Sequence, residues 1–224
     1  ILKKETTISI NYVFRYLTPT IACFHDETFY RSNLEELKTL PLIIGVYARN
    51  VENVIMPNTY LFKNRTDWVL NQWETAFYGS NLCGVFAISL AINLGYTEIF
   101  LLGYDFGAIN GLTHFYFDEV NLENRDCNHQ LKYRGIGFRD DGHGNKLHKT
   151  TNYENPSEKY FKPFENYKDV KIITVGEDSR LNQFPKIDYG EFFSHLENNP
   201  QPIEQAYVRD EIEATILTHR ATKP

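Results

Sequence analysis

The stretch "GSNLCGVFAISLAINLGYTEIFLLGYDFG", residues 79–107, constrains the fold more than any other part of the chain. Val85, Phe86, Ile88, Leu90, Ala91 and Leu94 cover most of a helical surface, so a helix here has to be buried nearly all round. Ser80 is the expected N-cap, and Gly95 suits the left-handed position that ends a helix. "EIFLLGY" (98–104) is apolar without alternation, the pattern of a central strand covered on both faces. A buried helix running straight into such a strand belongs to a layered α/β protein.

The preceding residues agree. "TTISINYVF" (6–14), "TIACF" (20–24) and "LIIGVYA" (42–48) are rich in β-branched and aromatic residues and read as strands. Between the last two, "SNLEELKTL" carries Leu34, Leu37 and Leu40 at helical spacing behind Ser32 as N-cap. Strand, helix and strand at this length make a βαβ unit and a mostly parallel sheet. "ENVIMPNTYLFKN" (52–64) reads as extended, interrupted by Pro57.

Beyond Thr113 the texture changes. Residues 113–157 are polar, rich in His, Asn and Asp, and lack a core period, as in a lid or inserted hairpin. "KYRGIGFRDDGHGNKLHKT" fits a hairpin turned by its Asp-Gly and Gly-Asn pairs. "PSEKYFKPFENY" (156–167) reads as a short helix and "VKIITV" (170–175) as a last core strand. Ile203, Ala206, Tyr207, Ile212 and Ile216 make 203–218 an amphipathic peripheral helix, packed on the domain or on a second subunit. The expected organisation is one α/β domain at 1–197, with a lid at about 108–157, and a C-terminal extension at 198–224.

Composition narrows the partners. A hydrophobic content of 42% with 16 Phe and 15 Tyr supplies a real core, and the net charge of -6 argues against nucleic acid as the default partner. No apolar run reaches the roughly 18 residues of a membrane span. The start, "ILKKETTISI", shows neither a signal-peptide pattern nor a first Met, so a trimmed chain is expected. Cys23, Cys83 and Cys127 have no zinc spacing and read as reduced thiols, which fits a cytoplasmic location.

Several polar residues fall where an α/β sheet keeps its sites. Asn11 ends the first apolar run, Asp26 follows the second, and Asp105 follows "EIFLLGY", all at strand carboxyl ends. The turn "YGSNLCG" (78–84), with Ser80, Asn81, Cys83 and Gly84, precedes a helix whose N-terminus suits a phosphate or carboxylate. His114 and His148 are the histidines of the polar segment best placed to move a proton near neutral pH. Asp105, His114 and Asp118 match no compact ligand motif, and no metal is expected. No GxSxG is present, and no Ser or Cys nucleophile stands out.

On these residues, "CGVFAISLAINLGYTEIFLLGYDF" resembles the helix–strand core of the bacterial α-2,3/2,8-sialyltransferase family and of the related MptE-like 6-hydroxymethylpterin diphosphokinases. "ISIN", "ACFHDETFY", "THFYFD" and "VGEDSRLNQFP" extend the likeness. The resemblance implies a Rossmann-like domain closed by a lid, a CMP-linked sugar as donor and no metal. It carries nucleotide contact over to Asn11 and Asp26, and the general base to His148. Asp26 stands where that family has Asn, Leu82-Cys83-Gly84 where it has Thr-Ser-Gly, and Gly107 where it has Tyr. The Gly-rich loop that both families place before the Asn-ending strand is not in this sequence.

The expectation is therefore an α/β, Rossmann-like, mostly parallel sheet with helices on both faces, a polar lid or hairpin insertion and a C-terminal peripheral helix. Its function would be transfer of a sugar from a nucleotide-activated donor to an acceptor hydroxyl. Asn11, Asp26, Ser80, Asn81, Cys83, Gly84 and Asp105 would hold the donor, with His148 or His114 as base. The partners are then a nucleotide sugar and a small-molecule or glycan acceptor, with a homo-oligomer as a further option. Two alternatives stand beside it. One is ATP-dependent diphosphoryl transfer with Mg2+ on Asp105 and Asp118. The other is a non-catalytic nucleotide-binding-like structural module.

Overall fold

The computed structural model describes residues 2, 5–25, 27–47, 57–65, 76–78, 82–105, 138–140, 146–148, 160–199 and 210–215. They form an α/β protein with parallel sheets. Its residues divide into two units: Ile1–Ile99, Tyr167–Lys171 and Tyr189–Pro224 make the first, Phe100–Asn166 and Ile172–Asp188 the second.

The first unit is built on a five-stranded parallel sheet of β1 (Ile8–Ile10), β2 (Ile21–Phe24), β3 (Ile43–Tyr47), β4 (Thr59–Arg65) and β5 (Ala76–Tyr78), in chain order. Register explains the core. Side chains alternate across a sheet, and Ile21, Cys23, Ile44, Tyr60 and Phe62 therefore share one face. On that face lie Phe86 and Leu90 of α3 (Cys83–Asn93), together with Ile212 from the helical segment 210–215. Tyr60 donates its hydroxyl to Glu213 Oε1 at 2.5 Å, fastening that segment to β4.

The other face carries Ala22, Phe24, Ile43 and Gly45, and α1 (Glu27–Ser32) packs on its β2 strand. Phe24 stacks on Tyr30 with ring centroids 4.5 Å apart. Gly45 pairs with Phe24 across the strands, and a Cβ there would meet the Phe24 ring at 2.2 Å. Only glycine lets the ring lie down. The short α2 (Leu34–Leu37) follows α1, separated by Asn33, whose amide Nδ2 donates to Phe29 O at 2.6 Å.

Helix α3 is buried from Val85 through Ala91, as its sequence requires. It ends in a Schellman motif: Tyr96 N–H donates to Ala91 O at 3.1 Å and Gly95 N–H to Ile92 O at 3.0 Å, with Gly95 at φ 88. Its start differs from expectation. The N-cap is Leu82, which gives no side-chain cap, instead of Ser80.

The second unit holds most of a three-stranded sheet in the order β10-β9-β6, from β6 (Glu98–Leu102), β9 (Lys171–Val175) and β10 (Lys186–Ile187). β9 is a core strand, buried after its first residue. Among the described residues β6 ends the order, and only Leu101 of its five residues is buried, so β6 lacks the full cover on both faces that its apolar run predicts. Continuous apolarity reports residue type, not the number of neighbours a strand acquires. Between these strands, β7 (Phe138–Asp140) and β8 (Lys146–His148) pair antiparallel, giving the hairpin expected in the polar segment. Of the helix expected at 156–167, residues 156–159 lie outside the described residues, 160–161 form a π turn and Lys162–Asn166 a 3-10 helix.

Two other departures are local. Residues 11–14, expected to continue the first strand, form a 3-10 helix, Asn11–Arg15. Its Tyr12 and Phe14 pack on Phe29 at ring distances of 4.9 and 6.2 Å, burial that an extended β1 would not give them. The helix expected from Ser32 is the short α2 with Asn33 at its N-cap, and Ser32 instead closes α1. A helix at Tyr189–Asn198, here α4, has no counterpart in the expectation. No helix among the described residues is long and apolar enough to cross a membrane.

Candidate functional site

The first unit brings two of the expected residues together. β1 stops at Ile10, and Asn11 takes φ 50, a left-handed conformation that Asn tolerates better than other side chains. This turns the chain into the 3-10 helix beside α3, which packs against β1, and the Asn11 backbone lies near enough to Cys83, the first residue of α3, to act on its thiol. The carboxyl end of β1 thus meets the amino end of α3. No acidic side chain occupies the first turn of α3.

Burial pushes the Cys83 thiol up to about 12, against the pull of the Asn11 N–H. Burial, and then the neighbouring Cys83, raise Cys23 as well. Both are neutral thiols at neutral pH, unsuited to nucleophilic attack. Cys83 adds no negative charge to this edge. Gly84 is the second residue of α3. Asp26, Ser80, Asn81 and His114 lie outside the described residues.

The second unit has its own polar cluster. β6 continues as Gly103-Tyr104-Asp105 and β9 as Gly176-Glu177-Asp178, the same Gly-x-Asp ending on neighbouring strands. Both glycines are left-handed, Gly103 at φ 74 and Gly176 at φ 110. The two strands run the same way. Lys171 N–H donates to Thr97 O at 2.7 Å before them, and Arg180 N–H to Asp105 O at 2.8 Å beyond them.

The loop after β9 is stitched to the end of β6. Ser179 Oγ donates to Tyr104 O at 2.7 Å and accepts Leu181 N–H at 3.1 Å. Lys186 Nζ donates to Ser179 O at 2.5 Å and to Asn182 Oδ1 at 2.8 Å. Asp105 is half-buried, and its carboxyl is raised by burial first and by the charge of Asp178 second. Two carboxylates thus face one another electrostatically at the carboxyl ends of two strands, an arrangement that attracts cations or holds a proton.

Asp105 therefore stands where the sequence placed it, after a strand at the carboxyl edge. Asp178 is the partner that sequence reasoning missed. The repeated Gly-x-Asp after an apolar run was its signal. Asp118 lies outside the described residues, and among those described no group of three or more His, Cys, Asp or Glu is arranged to hold a metal ion. His148 ends β8, opposite Phe138, in the second unit. Asn11, Cys83 and Gly84 belong to the first.

Fold and site define an α/β protein with polar residues at the carboxyl ends of parallel strands. No family model, curated protein or solved structure matches the chain.

Proposed function

We propose that the chain is a nucleotide-dependent transferase of the sialyltransferase-like type, with a Rossmann-like sheet and a lid within residues 108–157. The observation that carries this reading is the packing of β1, which ends at the left-handed Asn11, against α3, which begins at Cys83. It joins a strand carboxyl end to a helix amino end, where α/β proteins gather phosphate-bearing ligands. The resemblance of "CGVFAISLAINLGYTEIFLLGYDF" to the sialyltransferase core supports the finer assignment.

On this reading the Asn11 amide contacts the base or sugar edge of the nucleotide, and Asp26, Ser80, Asn81, Cys83 and Gly84 complete that surface. His148 or His114 takes the acceptor hydroxyl proton. The freed oxygen bonds to the anomeric carbon while that carbon's bond to the phosphate oxygen breaks. The nucleotide leaves with the electron pair.

A thermal-shift series with CMP, UDP, GDP, ADP and ATP, each with and without Mg2+, tests the reading. CMP at about 100 times its Kd adds about 2.7 kcal/mol, a visible rise in Tm. Asn11→Gly keeps the left-handed backbone and removes the amide, so it should abolish the CMP shift with little change in the unliganded Tm. Silence across the nucleotides, or a CMP shift that survives Asn11→Gly, overturns it.

The Asp105–Asp178 pair favours a second reading, diphosphoryl transfer from ATP with Mg2+ on these carboxylates. It requires an ATP response that depends on Mg2+ and disappears in Asp105→Asn.

A further inference from the structure

A charged knot lies among residues of the first unit. Glu98, at the start of β6, is shared by two cationic partners. Lys171 Nζ, at the start of β9, reaches Glu98 Oε1 at 2.8 Å, and His195 Nε2, on α4, reaches Glu98 Oε2 at 3.0 Å. Glu5, in the segment before β1, also interacts with His195 electrostatically. On α4 itself Glu191 lies one turn before His195, and Glu197 follows it. Burial works to raise the Glu98 carboxyl, yet Lys171 and His195 outweigh it and leave that carboxyl lowered.

We propose that His195 is a pH-responsive clasp, holding α4 against the amino ends of β6 and β9 through Glu98 when its imidazole is protonated. Neutral imidazole leaves Lys171 as the charged partner at Glu98 Oε1, with His195 at Oε2 uncharged. Protonation turns the His195–Glu98 contact into a charge-assisted hydrogen bond. α4 is sensitive to such a contact because only Phe192 and Leu196 of its residues are buried. Asn199 closes it on the same residue, its N–H and Nδ2 both donating to His195 O at 3.0 Å.

The sign follows from the partners. The clasp is at full strength while His195 is charged and Glu98 ionised. It fades as rising pH takes the proton from the imidazole. It fades again in acid, where Glu98 is protonated.

Hydrogen exchange of the α4 amides reads the clasp locally, comparing variant with wild type at each pH. His195→Gln should lower α4 protection about two- to fivefold at pH 5.5, the range of a partly exposed ion pair, and leave it unchanged at pH 8.5. The loss should vanish in a Glu98→Gln background. Glu98→Gln alone should cost more protection at pH 5.5 than at pH 8.5, an independent check should His195→Gln disturb folding. Equal losses at the two pH values, no loss at either, or a loss that persists without the Glu98 carboxylate would overturn the proposal.

Discussion

Gly45 shows how one missing side chain organises a sheet face. Phe24 is buried on β2, its ring lies across Gly45 of β3, and Tyr30 of α1 stacks over it. A Cβ at Gly45 would sit 2.2 Å from the ring, and the ring cannot yield without leaving Tyr30. Gly45→Ala is therefore expected to destabilise by about 1–3 kcal/mol, the usual range for an overpacked core. Phe24→Leu in the same chain should return part of that loss, because the smaller side chain vacates the space the new methyl needs. Urea denaturation of the two single variants and the double variant measures the coupling, and strictly additive effects would remove the argument. Asn11 makes the complementary point, because its left-handed backbone bends β1 into the 3-10 helix.

Elements were legible where their pattern had one physical meaning. Seven consecutive buried residues in α3 follow from an apolar surface all round the helix, and its Gly95 end follows from the conformation only glycine adopts cheaply. The hairpin of β7 and β8 was legible from its turn residues. Helix α4 was not, because "YGEFFSHLEN" carries adjacent aromatics and buries only Phe192 and Leu196. The partnership of Asp105 with Asp178 was equally hidden. The sequence reveals that each follows a strand, but only the sheet order makes those strands neighbours. That partnership has a pH signature. Burial and the Asp178 charge raise the Asp105 carboxyl, so folding favours its protonated form. Its ionisation then costs stability as pH rises through the raised value. Asp105→Asn should be more stable than the wild-type chain at pH 7, with the gap closing as pH falls and gone below about pH 4, the ordinary Asp range. Denaturant midpoints at pH 4 and 7 decide this, and a gap that widens in acid would reverse the sign.

At the scale of the whole molecule, chain order and the packing of the first unit diverge. Its sheet is complete by Tyr78, yet the core on its α3 face includes Ile212, contributed from near the other end of the chain. Ile212 is 5% exposed, among Cys23, Ile44, Tyr60, Phe62, Phe86 and Leu90. The Tyr60–Glu213 hydrogen bond fixes the segment beside it. Burial this deep makes 210–215 a part of the fold, and the sheet face it covers would otherwise expose apolar surface to water. Ile212→Ala is accordingly expected to cost about 2–4 kcal/mol, removing buried methyl groups and leaving a cavity between sheet and helix. Asp210→Ala, two residues away on the exposed side, should stay within about 0.5 kcal/mol. Denaturation of both variants separates the two roles open to a C-terminal segment. A large cost confined to Ile212 makes it core, whereas equal and small costs would make it an appendage that the sheet can do without.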